Sequence, residues 1–183
     1  MNRLADEAVI SIEEVSDFGF VIVKANFSDV KIRGLLDAVT GLDAPVTGKI
    51  NTSKKMSVAW MSTDEYAIIL KNSDVAKFTK KITAKMKSNN HLCLDMSDSR
   101  RCFRLFGNGW REVLSKGTPV DLNPKDFIVG GVRRTRIANL AVAIWSVSDN
   151  EAYVLSMYSV GGFIFEWLKT ADHEIFKTIT PLI

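Results

Sequence analysis

Few residues of this sequence have the type and spacing that a catalytic or metal site requires. The two histidines, His91 and His173, lie far apart, and no CxxC, HxxxH or HExxH spacing occurs. No GxSxG turn is present, and neither histidine stands near an obvious nucleophile. The paired carboxylates Glu13 and Glu14 are interpreted as a solvated edge. We therefore predict no catalytic residue and no metal ligand in this chain.

Two glycines invite comparison with phosphate-binding loops. The run from Phe106 to Trp110 (FGNGW) follows a predicted strand and opens a predicted helix, the context in which helix N-termini bind phosphate. A dinucleotide fingerprint needs a third glycine where Glu112 stands, and the lysine–serine pair of a nucleotide loop is absent. A tight strand-to-helix turn is the better interpretation. We predict no cofactor-binding residue.

Arginines form two groups along the chain, and both have two interpretations. Arginine binds carboxylate or phosphate through paired hydrogen bonds, but it also keeps sheet edges from associating. Because a net charge of +3 is mild, we do not predict a nucleic-acid partner. Alternation along a strand would place Arg134 and Arg136 on one face. The groups are Arg100, Arg101, Arg104 and Arg111, then Arg133, Arg134 and Arg136.

Composition limits the class of protein. The chain has 183 residues, a net charge of +3, 46% hydrophobic and 25% charged residues, which are ordinary values for a globular domain. We predict a single domain over 1–183, with a division into two small lobes near 88–92 as the alternative. No signal peptide and no membrane span are recognised, so a cytoplasmic location and no membrane partner are expected.

Apolar periodicity predicts four helices separated by strand-like runs. Helical stripes cover 32–39, 75–86, 110–114 and 160–171, with Ser28 and Gly41 as the expected ends of the first helix. Alternation predicts strands at 18–25, 56–60, 66–70, 91–96, 102–106, 138–144 and 153–157. Since most strands come in adjacent pairs, we predict an α+β fold with a mostly antiparallel or mixed sheet and helices packed on it. If 97–98 is a hairpin turn, Cys93 and Cys102 lie opposite each other; the alternative is two separate buried thiols.

Several short segments follow one another in a characteristic order. They are 60–66 (WMSTDEY), 95–101 (DMSDSRR), 103–107 (FRLFG), 111–117 (REVLSKG), 119–122 (PVDL), and Ser159 with the helix after it. This order and spacing resemble the gamma subunit family of heterotetrameric sarcosine oxidase. The resemblance covers Phe20 to Leu168 and is most specific from Asp95 to Leu122. Tyr158 departs from the pattern, since the family usually has arginine before that serine.

The resemblance implies the folate-binding fold of the glycine-cleavage aminomethyltransferase. It implies an assembled enzyme that oxidises sarcosine to glycine, with hydrogen peroxide and methylene-tetrahydrofolate as products. The partners would be alpha, beta and delta subunits, and these would hold FAD, FMN, NAD, zinc and tetrahydrofolate. Because the family's gamma subunit is not known to hold a cofactor, none is expected in this chain, and the isolated chain is expected to be inactive.

Three functional hypotheses follow. The first is a structural subunit that covers surfaces of larger partners. The second is an independent folate-binding or one-carbon transfer module that reads a pterin with a carboxylate such as Asp95 or Asp121. The third is an RNA-associated module of the same fold, driven by the arginines. For the first hypothesis, tryptophan and arginine are enriched among interface anchors. The candidate interface residues are Trp110, expected to be exposed, with Arg100, Arg101, Arg104 and Arg134.

Overall fold

The computed structural model describes the backbone of residues 10–179 and the side chains of residues 10–173. Its contacts form two compact units. The terminal unit comprises Met1–Val15, Arg101–Val129 and Arg133–Ile183, and the central unit comprises Ser16–Arg100 and Gly130–Val132. The chain passes between the units after Val15, Arg100, Val129 and Val132, and none of these crossings lies in the 88–92 stretch named from the sequence. A single functional domain over 1–183 stays a prediction.

Ten strands and four helices lie within the described residues. In chain order they are β1 (Ser11–Glu14), β2 (Gly19–Ala25), α1 (Val30–Thr40), β3 (Ile50–Thr52), β4 (Met56–Ser62), β5 (Glu65–Leu70), α2 (Asn72–Lys85), β6 (His91–Asp95), β7 (Arg100–Phe106), α3 (Trp110–Ser115), β8 (Val132–Ile137), β9 (Leu140–Ser148), β10 (Glu151–Met157) and α4 (Tyr158–Ile179). A short 3-10 turn, Ser97–Ser99, precedes β7. None of these helices is long and apolar enough to cross a bilayer.

Each unit contains one five-stranded sheet. The sheet of the terminal unit has the order β1-β7-β10-β9-β8, and that of the central unit has the order β3-β4-β5-β2-β6. β1 with β7, β9 with β10, and all neighbours in the central sheet pair antiparallel. The predicted α+β class with antiparallel strands and packed helices is confirmed.

No hairpin forms across residues 97–98, so the alternative of two separate thiols is the one observed. β6 pairs with β2 in the central sheet, whereas β7 pairs with β1 in the other sheet. The 3-10 turn between them is fixed by Ser97, whose N–H and hydroxyl both donate to Asp95 Oδ1. Cys93 and Cys102 are therefore not cross-strand neighbours, and both are free thiols.

Local signals account for the helices of the central unit. α1 ends at Gly41, which adopts the left-handed conformation (φ 72°) as predicted. Its N-cap is Asp29 rather than Ser28, because Asp29 Oδ1 accepts a hydrogen bond from the Lys31 N–H at 2.8 Å. Leu36 of α1 and Ile82 of α2 are completely buried against the sheet. Burying two such side chains contributes roughly 3–6 kcal/mol.

The core of the terminal unit forms where α3 and α4 cover their sheet. Leu114, Ile164 and Leu168 are completely buried in this core. Phe163, which the sequence placed on the same helical stripe, is instead exposed. The buried stripe of α4 is thus narrower than the apolar pattern suggested, and one aromatic ring is left on the outer side of the helix.

Candidate partner-binding surface

Arg101 is held inside the terminal unit by a bidentate ion pair. Its Nε donates to Glu14 Oε1 at 2.6 Å, and its Nη2 donates to Glu14 Oε2. The guanidinium also lies over the Phe103 ring, 5.4 Å from the centroid. The hydrogen bonds from Arg101 lower the pKa of Glu14 from its ordinary value. A Cβ at Gly161 would lie 2.4 Å from Arg101 Cδ, so this glycine makes room for the arginine.

Arg104 belongs to a second internal network on the same strand. Its Nε donates to Glu151 Oε1, which also accepts a hydrogen bond from the Tyr153 hydroxyl at 3.0 Å. Burial alone would raise the pKa of Glu151, but the hydrogen bonds from Arg104 and Tyr153 outweigh it and the pKa is lowered. Burial, and to a smaller extent the hydrogen bond to Glu151, raises the pKa of Tyr153 to about 12. The network therefore stays charged on both sides at neutral pH.

Trp110 is completely buried, so its expected exposure is wrong. It begins α3 and donates from Nε1 to the Asp149 carbonyl at 2.9 Å. The Arg111 guanidinium covers its ring at 4.2 Å from the centroid and donates to the carbonyls of Leu122 and Phe127. Burial lowers the pKa of Arg111, and its two hydrogen bonds attach the 119–131 connection to α3.

Arg100 and Arg134 occupy different surroundings. Arg100 is half-buried, lies 5.9 Å from the centroid of the Phe20 ring and donates to the Ser99 carbonyl. Arg134 is exposed on β8, where it alternates with Arg136 as the spacing predicted. Of the five candidate interface residues, Arg134 is the most open to solvent. The role of the arginines at an interface stays a prediction.

The remaining candidate chemical groups do not gather into one site. His91 Nδ1 contacts the Asn89 carbonyl at 2.9 Å, while His173 is exposed. Among the residues that the structure describes, no three His, Cys, Asp or Glu side chains are grouped as metal ligands. Burial raises the pKa of both Cys93 and Cys102, which favours the unreactive thiol form. Gly107, with φ 136°, makes the predicted turn before α3, a helix of six residues.

Exposed apolar side chains are the feature that the sequence did not indicate. Two of them, Leu92 and Leu94, alternate along β6. Three more, Met157, Tyr158 and Phe163, lie at the junction of β10 and α4. Contiguous exposed apolar groups are typical of surfaces that bind other molecules. These side chains are candidates for contact with a partner protein.

Comparison with known proteins places the chain in a family. The family described as "Sarcosine oxidase, gamma subunit family" matches residues 25–174. The chain belongs to this family. A member from Corynebacterium sp. (strain P-1), the gamma subunit of sarcosine oxidase, is 27% identical over 166 residues, or 90% of this chain and 81% of that protein. The resemblance read from the short segments is confirmed.

Solved structures share the fold of this sarcosine oxidase gamma family member. One is the heterotetrameric sarcosine oxidase of Corynebacterium sp. U-96 in complex with pyrrole 2-carboxylate, with a TM-score of 0.87 and 23% identity over 98% of this chain and 90% of that one. Another is the glycine cleavage system aminomethyltransferase T of Bartonella henselae, with a TM-score of 0.67 and 10% identity. The latter match covers 88% of this chain but 45% of the transferase. The expected likeness to the aminomethyltransferase fold is confirmed.

Proposed function

We propose that the chain is a non-catalytic structural subunit of a heterotetrameric sarcosine oxidase. Family membership over residues 25–174 is the observation that carries this proposal. The partners would be the alpha, beta and delta subunits, and the assembly would work in the cytoplasm. No nucleic acid or membrane takes part in this function.

The assembled enzyme would remove the methyl group of sarcosine by oxidation. Two electrons would pass from sarcosine to dioxygen, giving hydrogen peroxide, and the one-carbon unit would pass to tetrahydrofolate, leaving glycine and methylene-tetrahydrofolate. The other subunits would bind FAD, FMN, NAD, zinc and tetrahydrofolate. This chain would contribute surface and stability, and it would be inactive alone.

The charged and thiol side chains that could do chemistry are instead paired or buried within the fold, which supports a structural role. Arg101 and Arg104 are ion-paired, and Arg111 donates to loop carbonyls. Glu151 is engaged by two donors, and burial keeps Cys102 protonated. These side chains stabilise the fold through their contacts, which is what a subunit without its own reaction requires.

Co-expression with the neighbouring genes tests the proposal. A tag on this chain is expected to retain a flavin-containing complex that releases peroxide when sarcosine is added. The tagged chain purified alone should bind no flavin and release no peroxide. Subunits expressed without it should give a complex with a lower Tm or no complex at all. Elution of the tagged chain without any flavoprotein would contradict the assembly role, and turnover by the chain alone would contradict the structural one.

The fold shared with the aminomethyltransferase keeps an independent folate-binding module as a second candidate. The structure places the two carboxylates named for it in different units: Asp95 accepts from Ser97, and Asp121 Oδ1 accepts from the Asn123 N–H at 2.8 Å. Both are exposed and engaged in local turns. Calorimetry with millimolar tetrahydrofolate separates the candidates, since saturable heat on the isolated chain would favour the module.

A further inference from the structure

The outer strands of the two sheets are protected to very different degrees. β1 carries Glu13 and Glu14, and β8 carries three arginines. β3 has three residues, and Lys49, the residue before it, forms an isolated antiparallel bridge with Gly131. Charge and shortness are the usual devices that keep an edge strand from pairing with another chain. β6 (HLCLD) is longer than β3, has no lysine or proline, and pairs with β2 without a bulge. Its one carboxylate, Asp95 at the end of the strand, accepts hydrogen bonds from the Ser97 N–H and hydroxyl.

Hydrogen-bond register shows which backbone groups of β6 point away from its neighbour. The Met96 N–H donates to the Phe20 carbonyl at 2.8 Å, and the next residue pairs in this register are Ile22 with Leu94 and Lys24 with Leu92. In an antiparallel ladder, successive residues alternate between facing the partner strand and facing away. On β6, the N–H and C=O groups of His91, Cys93 and Asp95 therefore face outward, and they have no backbone partner within the described part of the chain.

Side chains on β6 add an apolar surface to this open edge. Leu92 is 45% exposed and Leu94 is 42% exposed, and both lie on the same face of the strand. Cys93 points to the opposite face, where it packs against the core beneath the helices. Open backbone groups flanked by apolar side chains are the features that strand-adding partners use.

We propose that a strand of a partner subunit, flanked by acidic residues, adds to β6 and extends the central sheet to six strands. This proposal rests on the proposed function, because it names the surface through which the subunit joins its assembly. Main-chain hydrogen bonds to the outward groups of β6 supply affinity, and Leu92 with Leu94 forms the apolar part of the interface.

The charge of α2 identifies the partner as acidic. Between residues 71 and 87 there are six lysines and one aspartate, a formal charge of +5, against +3 for the whole chain. Thr83 of α2 lies close to Cys93 and α2 packs against β6, so this side of α2 lies next to β6. Lys80 lies one turn before Thr83 and is exposed, as is Lys87 after the helix. Within the described residues, these two lysines make no ion pair. An approaching strand with carboxylates beside it would neutralise them.

A second copy of this chain fits the edge poorly. Antiparallel pairing of two β6 strands in one continuous sheet needs a two-fold axis perpendicular to that sheet. Such an axis places both α2 helices on the same face, beside one another. Two segments of +5 would then repel each other. The charge therefore favours a foreign acidic strand over self-association.

Hydrogen exchange gives the most direct test. In the free chain the outward amides of Cys93 and Asp95 should exchange fast, because no backbone acceptor covers them. In the complex obtained by co-expression, the same amides should become protected by on the order of 100-fold or more, as for paired strands. If these amides exchange equally fast in an intact complex, strand addition to β6 is wrong.

Substitutions on the apolar face test the site with a matched control. The double variant Leu92→Lys, Leu94→Lys places lysines on β6, and charge of this kind keeps an edge strand from pairing with another chain. The double variant should weaken assembly on the order of 100-fold. The control is Ile128→Lys with Val129→Lys, a neighbouring pair of 47% and 45% exposure outside the strand. The control should assemble like wild type, and circular dichroism should show that both variants are folded. Equal affinity of the β6 variant and wild type would refute the site.

Charge reversal on α2 tests the nature of the partner. Lys80→Glu with Lys87→Glu should slow association about tenfold at low salt, and the difference should shrink as salt screens the charges. Lys54→Glu with Lys55→Glu changes the charge equally on an exposed turn and should have little effect. An unchanged rate would overturn an acidic partner. Concentration-dependent dimers of the free chain that Leu94→Lys abolishes would assign the edge to a second copy. If wild type joins no other subunit, the proposed function fails first and this proposal with it.

Discussion

Adjacent glycines in α4 allow the packing of Arg101 to be measured as a free energy. A Cβ at Gly161 would lie 2.4 Å from Arg101 Cδ, whereas at Gly162 the nearest atom is Arg101 Nη1 at 3.6 Å, an ordinary contact. Replacing either glycine by alanine favours the helix by up to about 1 kcal/mol. Only Gly161→Ala also overpacks the site, at about 1–3 kcal/mol. The free energies of unfolding of the two variants should therefore differ by about 1–3 kcal/mol.

Urea unfolding followed by circular dichroism measures this difference, provided that the m values of the variants agree. Gly162→Ala should raise the free energy of unfolding slightly, and Gly161→Ala should lower it. Repeating both in an Arg101→Ala background removes the clashing Cδ, so the difference should fall below about 1 kcal/mol. If Gly161→Ala stabilises as much as Gly162→Ala, or if the difference persists without the arginine side chain, the steric account is refuted.

Three further predictions concern the terminal unit. Trp110→Phe removes a buried N–H donor and should cost about 1–3 kcal/mol in urea unfolding, in contrast to the small effect expected for an exposed tryptophan. The pKa of Glu14 is lowered in the folded chain, so its pairing with Arg101 stabilises the fold at pH values above the ordinary pKa of 4.5. This stabilisation is lost as the pH falls through the lower pKa of the folded state. Glu14→Gln should therefore reduce the fall of Tm that acid causes below about pH 5. Gly117→Ala would bring a Cβ within 2.3 Å of the Trp167 ring. It should lower the free energy of unfolding by about 1–3 kcal/mol and shift the tryptophan emission. Unchanged emission and stability would contradict that contact.

Helices were predictable because their signals are local. The stripe of α1 and its stop at Gly41 need no information from elsewhere in the chain, since a left-handed residue after an apolar stripe ends a helix by itself. The N-cap was misplaced by one residue, because Ser28 and Asp29 are both good caps and the backbone conformation chooses between them. Boundaries of this kind depend on geometry that residue types alone do not specify.

Division of the strands between two sheets was not predictable from local patterns. Strands adjacent in the chain pair with each other roughly two-thirds of the time, which favoured a hairpin of β6 with β7. Here β6 pairs with β2 instead, and Ser97 connects the turn to that strand: its hydroxyl accepts from the Phe20 N–H at 3.0 Å and donates to Asp95. Phe20 lies 77 residues away in sequence, and nothing near Ser97 indicates this contact.

The arginines show why residue type alone did not locate the surface. Arg101 is separated by 87 residues from Glu14, its ion-pair partner, and Arg104 by 47 residues from Glu151. A single sequence gives no means to foresee such pairs, so these arginines looked like free cations. The paired guanidiniums lie on β7, inside its sheet, where neighbouring strands supply the carboxylates. Arg134, on the outer strand β8, is exposed and alternates with Arg136 as the spacing predicts.

Net charge also concealed the most asymmetric part of the molecule. The value of +3 argues against a nucleic-acid partner, but the segment 71–87 has +5, which leaves −2 for the rest of the chain. Attraction between proteins depends on local potential within about a Debye length, roughly 8 Å at physiological salt, and not on the total. A cationic helix beside an open apolar edge can therefore direct assembly, even though the chain as a whole is nearly neutral.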